Sequence, residues 1–161
     1  MTANMRSTSR AHGFTLIELI VTMSLVAILA TLAAPMFTDT LASNRTRAAA
    51  YSLVSALSYA RSEAVKRNAT VSVTPTGATW QDGWEIEIGG NTLSTNQPVQ
   101  QIALAGPLAG VNYLPTGRLQ TPGVVQFTIS APATGYTRCV TIDPGGRPKL
   151  ARGEHHDGSC A

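Results

Sequence analysis

A single carboxylate interrupts the apolar segment near the start of the sequence. Glu18 is the only formally charged side chain between Phe14 and Ala34. A carboxylate in a membrane helix costs roughly 2.5 to 3.5 kcal/mol at the helix centre and less near the interface, so such a residue has a functional role by default. The cost becomes tolerable when the carboxylate meets a cation. Glu18 is therefore a candidate for a specific ionic contact.

Basic residues cluster in one part of the C-terminal half. From Ile88 onward the sequence has five basic and three acidic residues. The basic residues are Arg118, Arg138, Arg147, Lys149 and Arg152, and the acidic residues are Asp143, Glu154 and Asp157. Three of the basic residues, Arg147, Lys149 and Arg152, fall within six residues that contain no acid. Such a cluster would bind the phosphates of a nucleic acid weakly, with strong salt dependence and without sequence preference. The alternative is that these are ordinary solvated charges on a polar loop, and both interpretations stay open.

Other chemistry is sparse. His155 and His156, followed by Asp157 and Cys160, suggest a metal site only weakly, because adjacent histidines diverge on most backbones. There is no phosphate-binding glycine loop and no legible arrangement of serine, histidine and acid. We therefore expect no enzymatic activity, no metal and no cofactor.

The apolar segment positions Glu18. As a helix, residues 14–34 would be roughly 30 Å long, the thickness of one bilayer core, which predicts a transmembrane helix half. A secretory signal would carry its small residues after the apolar part, whereas Gly13 precedes it. A plain one-pass anchor is the other alternative, but it leaves Glu18 unexplained.

An amphipathic helix half is predicted over residues 35–68. Pro35 need not end the helix but should kink it. Apolar residues then recur on one face, at Ala50, Leu53, Val54, Leu57, Ala60 and Ala64. Lys66 and Arg67 suit the negative end of the helix dipole, and Asn68 can adopt the left-handed conformation that closes a helix. We predict one long, bent helix whose second half packs on a sheet.

Alternation with a period of two replaces the helical pattern after Asn68. The region 69–161 therefore predicts an antiparallel β-sheet region, and the fold class is α+β. Strands are expected at 70–74, 84–88, 99–103, 111–114, 124–130 and 137–142, with a loop-like stretch over 94–110. Trp80 and Trp84 lie beside an alternating strand with several acids nearby, so we expect them in the core and not stacked on bases.

The sequence G-F-T-L-I-E-L that begins at Gly13 resembles the processing motif of type IV pilins and type II secretion pseudopilins. The resemblance implies that a prepilin peptidase/methyltransferase removes the leader, residues 1–13, and methylates the new N-terminal Phe14. It also implies that Glu18 acts in filament assembly, where the amino group of a neighbouring subunit would supply the cation. The protein would cross the inner membrane once, with its β-sheet region in the periplasm, before it enters a filament or its tip at the cell surface.

Three segments of the sheet region are similar to motifs of the GspH/FimT family. They are W-Q-D-G-W at 80–84, Y-L-P-T-G-R at 113–118, and C-V-T-I followed by G-G-R within 139–147. The resemblance implies a pilin-like fold and, as partners, other major and minor pilins. A minor type IV pilin of the FimT/FimU kind is our preferred interpretation. The minor pseudopilin H of type II secretion is the alternative, and a FimU-like subunit that only bridges other subunits is a third.

The residues around Arg147 bear on a further role within this family. FimT-type minor pilins implicated in DNA uptake are known by a G-R-x-R motif, and this chain has Gly146-Arg147-Pro148-Lys149. Lysine keeps the positive charge but lacks the bidentate fork of arginine. Without the leader the chain would carry ten basic and nine acidic residues. The hypothesis of sequence-independent binding to double-stranded DNA therefore depends on the local cluster: Arg147, Lys149, Arg152, Arg138 and Arg118.

Cys139 and Cys160 lie on the periplasmic, oxidising side that the resemblance implies, where a disulfide is expected. A bridge closing about twenty residues would restrict the unfolded chain by roughly 3 kcal/mol in the chain-entropy model. It would also tether the C-terminal loop and hold its basic residues near one another.

Overall fold

The computed structural model describes residues 14–151 and 160, except for the side chains of 32–36. Within these residues it contains one α-helix and eight β-strands. They are α1 (Leu16–Arg67), β1 (Val71–Pro75), β2 (Trp84–Ile88), β3 (Asn91–Asn96), β4 (Ala103–Ala105), β5 (Val111–Tyr113), β6 (Val125–Ala131), β7 (Tyr136–Ile142) and β8 (Pro148–Leu150). One turn of 3-10 helix covers Trp80–Asp82. The chain divides into two compact units, Met1–Phe37 and Thr38–Ala161.

In the first unit, α1 begins with a side-chain cap. The Glu18 backbone N–H donates to the Thr15 hydroxyl at 3.3 Å, which satisfies one of the amide groups left free at a helix start. Glu18 also lies in the first turn, where the helix dipole favours a negative charge. Among the described residues no helix is long and apolar enough to cross a membrane. The transmembrane half of α1 stays a prediction.

In the second unit, α1 buries the predicted apolar face. Its fully buried residues follow helical spacing, at Ala50, Leu53, Leu57, Ala60 and Ala64. Asn68 ends the helix with a φ of 49°, and the Ala69 N–H donates to the Ala64 carbonyl at 3.2 Å. This is the left-handed closure expected from the sequence.

Two antiparallel four-stranded sheets complete the second unit. Their strand orders are β3-β2-β1-β5 and β4-β6-β7-β8. A single hydrophobic core joins the buried face of α1 to both sheets, with Trp84, Val71, Phe127 and Val140 among its members. The predicted α+β class, a helix packed on an antiparallel sheet region, is confirmed.

The sequence missed two edge strands. The strand β3 is almost entirely polar and so lacks the apolar alternation that marks a strand in sequence. The predicted strand 84–88 does end at Ile88, and Gly89 and Gly90, with φ values of 55° and 80°, form the turn that leads into β3. In β8, Pro148 at the first position concealed the strand, although an edge strand tolerates proline there. The predicted strand over 99–103 is also displaced, since β4 starts at Ala103.

Candidate functional site

The N-terminal motif is described only in part. Gly13 lies outside the described residues, as does the rest of the leader. Phe14 and Glu18 are both exposed at the start of the chain's described part. Their predicted roles in methylation and filament assembly stay predictions.

The predicted disulfide is confirmed. Cys139 of β7 is bonded to Cys160, with their Cα atoms 5.6 Å apart. Cys160 also contacts β6, because Gln126 Nε2 donates to its carbonyl at 2.9 Å and the Thr128 hydroxyl lies 3.2 Å from its Sγ. The bridge therefore holds Cys160 against the sheet beside two neighbouring strands.

The turn and the second strand of the β7–β8 hairpin carry two of the candidate DNA-binding residues, Arg147 and Lys149. The turn runs from Asp143 to Arg147, where the Gly146 N–H donates to the Asp143 carbonyl at 2.8 Å. Lys149 follows within β8, opposite Thr141 of β7. The structure replaces this part of the predicted tethered loop by an edge strand, because the backbone of 148–150 pairs with β7. Arg147 in the turn and Lys149 in β8 are both exposed.

The turn brings an acid against these basic residues. Asp143 Oδ1 accepts a hydrogen bond from the Arg147 backbone N–H at 3.0 Å, and Oδ2 lies 3.3 Å from Lys149 Nζ. The Arg147 amide, followed by Lys149, lowers the pKa of Asp143 and so stabilises its ionised form. Lys149 thus already has an ionic partner. No carboxylate in 14–151 pairs with the side chain of Arg147.

The other three candidates differ in accessibility. Arg138 lies in β7, an inner strand between β6 and β8, and is only 7% exposed. A side chain so buried cannot reach a phosphate outside the domain, so we remove Arg138 from the candidate set. Arg118 is exposed, whereas Arg152 lies outside the described residues.

Two glycine turns bring Arg118 and Arg147 into one region. Gly117 and Gly146 both have left-handed backbones, with φ values of 73° and 79°. They also touch, because a Cβ built on Gly146 would overlap the carbonyl oxygen of Gly117. The motifs Y-L-P-T-G-R and G-G-R are therefore neighbours in space, which their separation in sequence did not indicate.

Arg61 of α1 fixes the two turns together. Its Nε donates to the Gly117 carbonyl at 2.9 Å, and its Nη2 donates to the Gly145 carbonyl at 3.2 Å. Sequence reasoning missed Arg61. The one indication in the sequence is that Arg61 follows Ala60 of the buried face of α1. An arginine at the border of a core packs its aliphatic stem there and directs its guanidinium toward polar groups.

Further basic residues lie at the end of α1. Lys66 Nζ is 3.5 Å and Arg67 Nε 2.5 Å from the carboxylate of Glu63, whose pKa is lowered chiefly by the hydrogen bond from Arg67. Together with the two turns, this region holds six cations and two acids. The cations are Arg61, Lys66, Arg67, Arg118, Arg147 and Lys149, and the acids are Glu63 and Asp143. We call this set the basic face.

Neither tryptophan belongs to the basic face. Both are fully buried, as predicted. Trp80 packs edge-on against Phe127 at 4.8 Å between ring centroids and donates from Nε1 to the Pro107 carbonyl at 3.0 Å. The described residues also contain no group of three histidine, cysteine or acidic side chains that could hold a metal ion.

A long N-terminal helix on antiparallel sheets, behind a motif for N-terminal methylation, defines the class of minor pilins and pseudopilins. Residues 49–146 match the family described as Type II transport protein GspH, and residues 8–34 match the prokaryotic N-terminal methylation motif. The chain belongs to the GspH family. The resemblance seen in the sequence is thereby confirmed.

Solved structures share this fold. Two crystal forms of the type IV minor pilin FimU of Pseudomonas aeruginosa are each 23% identical to the chain. They superpose with TM-scores of 0.62 and 0.60, and cover 70% and 68% of this chain and 93% and 96% of FimU. The minor pseudopilin EpsH from the type 2 secretion system of Vibrio cholerae is 14% identical, with a TM-score of 0.52, covering 66% of this chain and 96% of EpsH. A comparison with curated proteins gave no significant match.

Proposed function

We propose that this protein is a minor type IV pilin that binds double-stranded DNA without sequence preference, for uptake in natural transformation. One observation carries the DNA-binding part: the exposed Arg147 has no carboxylate partner among the described residues, and its turn is fixed against the turn that carries Arg118. Two exposed guanidinium groups that make no ion pair with a described carboxylate, on fixed turns, suit phosphates, which arginine binds in a bidentate manner.

Binding through so few contacts is weak and depends on salt. Each phosphate neutralised contributes a slope of about −0.9 to the logarithm of affinity against the logarithm of salt concentration. The ion pair between Lys149 and Asp143 must be weakened before Lys149 can contribute fully. Several copies or several pilins at one filament tip would raise the overall affinity by effective concentration.

The proposal includes the route by which the subunit reaches the filament. The prepilin peptidase/methyltransferase cleaves after Gly13 and methylates Phe14 while the protein is held in the inner membrane, with the second unit in the periplasm. Glu18 then pairs with the terminal amine of a neighbouring pilin during assembly, which offsets the cost of an ion in an apolar filament core. Mass spectrometry of the protein purified from its host tests this route, because an intact leader would contradict it.

A DNA titration tests the proposed function. The full chain, purified in a non-ionic detergent, is titrated against a fluorescently labelled 30-base-pair duplex at low and at physiological salt. We expect binding that weakens steeply with salt, and a loss of roughly ten-fold or more in affinity in the double variant Arg147→Ala, Lys149→Ala. The matched control is Arg47→Ala, which removes an exposed arginine from α1 outside the basic face. No binding by the folded wild-type chain at low salt would overturn the proposal.

The second candidate function is that of the minor pseudopilin H of type II secretion. The family description and the shared fold of EpsH favour it as much as they favour a pilin. Deletion of the gene separates the two. Loss of transformation with normal protein secretion supports the pilin, whereas loss of secretion with normal transformation supports the pseudopilin.

A further inference from the structure

A surface groove separates the last turns of α1 from the β7–β8 hairpin. Its volume is about 450 Å³. Three cations line it, Arg61 and Lys66 from the helix and Arg147 from the hairpin, together with Ser58 and Ser62. No carboxylate is among its lining residues within 14–151 and 160. The groove is therefore an electropositive opening between two elements.

The two serines leave the groove open and do not themselves attract an anion. Ser58 and Ser62 donate their hydroxyl protons to the carbonyls of Val54 and Tyr59, at 2.7 and 2.8 Å, so their donors are already used within the helix. Their small side chains leave space between the helix and the hairpin, and the attraction for an anion comes from the cations. Both serines are exposed.

The two cations on the helix side of the groove are held differently. Arg61 is fixed by its hydrogen bonds to the Gly117 and Gly145 carbonyls, which keeps the helix side and the hairpin side at a constant separation. The side chain of Lys66 is 74% exposed and lies at the limit of hydrogen-bonding distance from Glu63, 3.5 Å. Lys66 can therefore turn toward a ligand with little loss.

The acids near the groove are engaged elsewhere. Glu63 is almost fully buried and pairs most closely with Arg67, at 2.5 Å. Asp143 caps the Arg147 amide and pairs with Lys149. An anion in the groove would thus lie beside three positive side chains, while the two nearby carboxylates are already paired with other cations.

We infer that this groove binds a backbone phosphate of the DNA and extends the binding surface from the β7–β8 hairpin onto the last two turns of α1. The inference depends on the proposed DNA binding and adds to it a second element. The duplex backbone crosses from Arg147 to Lys66, so the contact is to phosphate and carries no sequence information. Arg61 acts as a positioning residue, because its guanidinium is occupied by two backbone carbonyls.

The test compares two single variants of α1, one with a negative charge inside the groove and one with a negative charge outside it. Ser62→Asp adds a carboxylate within the groove, whereas Ser55→Asp adds one to another exposed site about 10 Å along α1. With the full chain and the labelled duplex at low salt, we expect Ser62→Asp to lower the affinity roughly ten-fold and Ser55→Asp to change it less than two-fold. Thermal unfolding of both variants checks that the fold is kept.

A second variant removes a charge without adding one. Lys66→Gln should weaken binding roughly three-fold and reduce the salt slope by about one, while a purely structural role would leave the slope unchanged.

The results separate the two proposals. If Arg147→Ala, Lys149→Ala abolishes binding while Ser62→Asp and Lys66→Gln bind as well as the wild type, the hairpin binds DNA and the groove does not. If the wild-type chain fails to bind, both proposals are overturned. Equal losses in Ser62→Asp and Ser55→Asp would indicate general repulsion and also contradict the groove.

Discussion

The two hairpins that contain a Gly-Gly pair differ in what surrounds their turns. At the β2–β3 turn, a Cβ added to Gly89 or Gly90 would meet nothing within 4 Å. At the β7–β8 turn, Gly146 lies directly against Gly117. Arg61 donates hydrogen bonds to the backbone carbonyls of both turns, at Gly117 and at Gly145. The first pair serves backbone conformation alone, while the second also permits two segments to touch. A glycine that allows close approach matters more than one that only allows a turn.

Replacing one glycine in each turn gives the largest expected effect. Gly90 and Gly146 have nearly equal φ values, 80° and 79°, so Gly90→Ala and Gly146→Ala both place an alanine at the same φ in the left-handed region. We expect Gly90→Ala to lower the free energy of unfolding by about 1 kcal/mol and Gly146→Ala by about 3 kcal/mol, because only the second also forces backbones apart. Urea unfolding of the two variants measures the difference. Equal losses would mean that the contact with Gly117 carries no energy.

The next effect concerns the arginine that joins the turns. Arg61→Ala removes two hydrogen bonds to backbone carbonyls, so we expect a loss of about 2 kcal/mol in the free energy of unfolding. Arg47→Ala, on the same helix, should change it by less than 0.5 kcal/mol. Hydrogen exchange should speed up at Gly146 and Gly117 in Arg61→Ala and stay unchanged at Gly90. Faster exchange at both hairpins would show that the substitution loosened the whole unit.

The smallest effect is electrostatic and should raise DNA affinity. Asp143→Asn keeps a side-chain acceptor for the Arg147 amide but frees Lys149 from its ion pair. We expect roughly three-fold tighter binding to the labelled duplex at low salt, and a smaller gain at physiological salt. Glu85→Gln, which removes an acid from β2, is the control and should leave affinity unchanged. An unchanged or weaker affinity in Asp143→Asn would argue against Lys149 as a phosphate contact.

The same substitution should alter the dependence of stability on pH. The pKa of Asp143 is lower in the folded chain than in the unfolded one, so its contribution is fully present above about pH 4 and is lost as pH falls through the lower, folded value. Asp143→Asn should therefore flatten the loss of stability in acid, which urea titrations between pH 2 and pH 5 would measure.

Local patterns in the sequence predicted the elements with strong periodicity. The spacing of Leu53 and Leu57 predicted the buried face of α1, and Asn68 predicted where the helix ends. Both features depend only on residues within one or two helical turns. The burial of Trp80 and Trp84 followed in the same way from the alternating strand beside them. The polar β3 and the proline-led β8 were missed because edge strands are held by backbone pairing, which side-chain patterns describe poorly.

The candidate site was predicted in part. Arg147 and Lys149 lie in a stretch of sequence without acids, yet the turn brings Asp143 against the Arg147 amide and the Lys149 ammonium group. The charge of Arg138 makes it a candidate in the sequence, but its inner strand buries it. The part played by Arg61 depends on contacts across the fold, and no pattern in a single sequence records which loops will meet.

The bonds of Arg61 also constrain how this chain can change during evolution. They join the helix to positions 56 and 84 residues further along the chain. Substitutions at Arg61, Gly117 and Gly146 will therefore show epistasis. Once a substitution at one of these positions has separated the two turns, a substitution at another lowers the free energy of unfolding by less. Variation in homologues should accordingly be correlated at these positions, because replacing either glycine costs less in a lineage that has already lost the arginine.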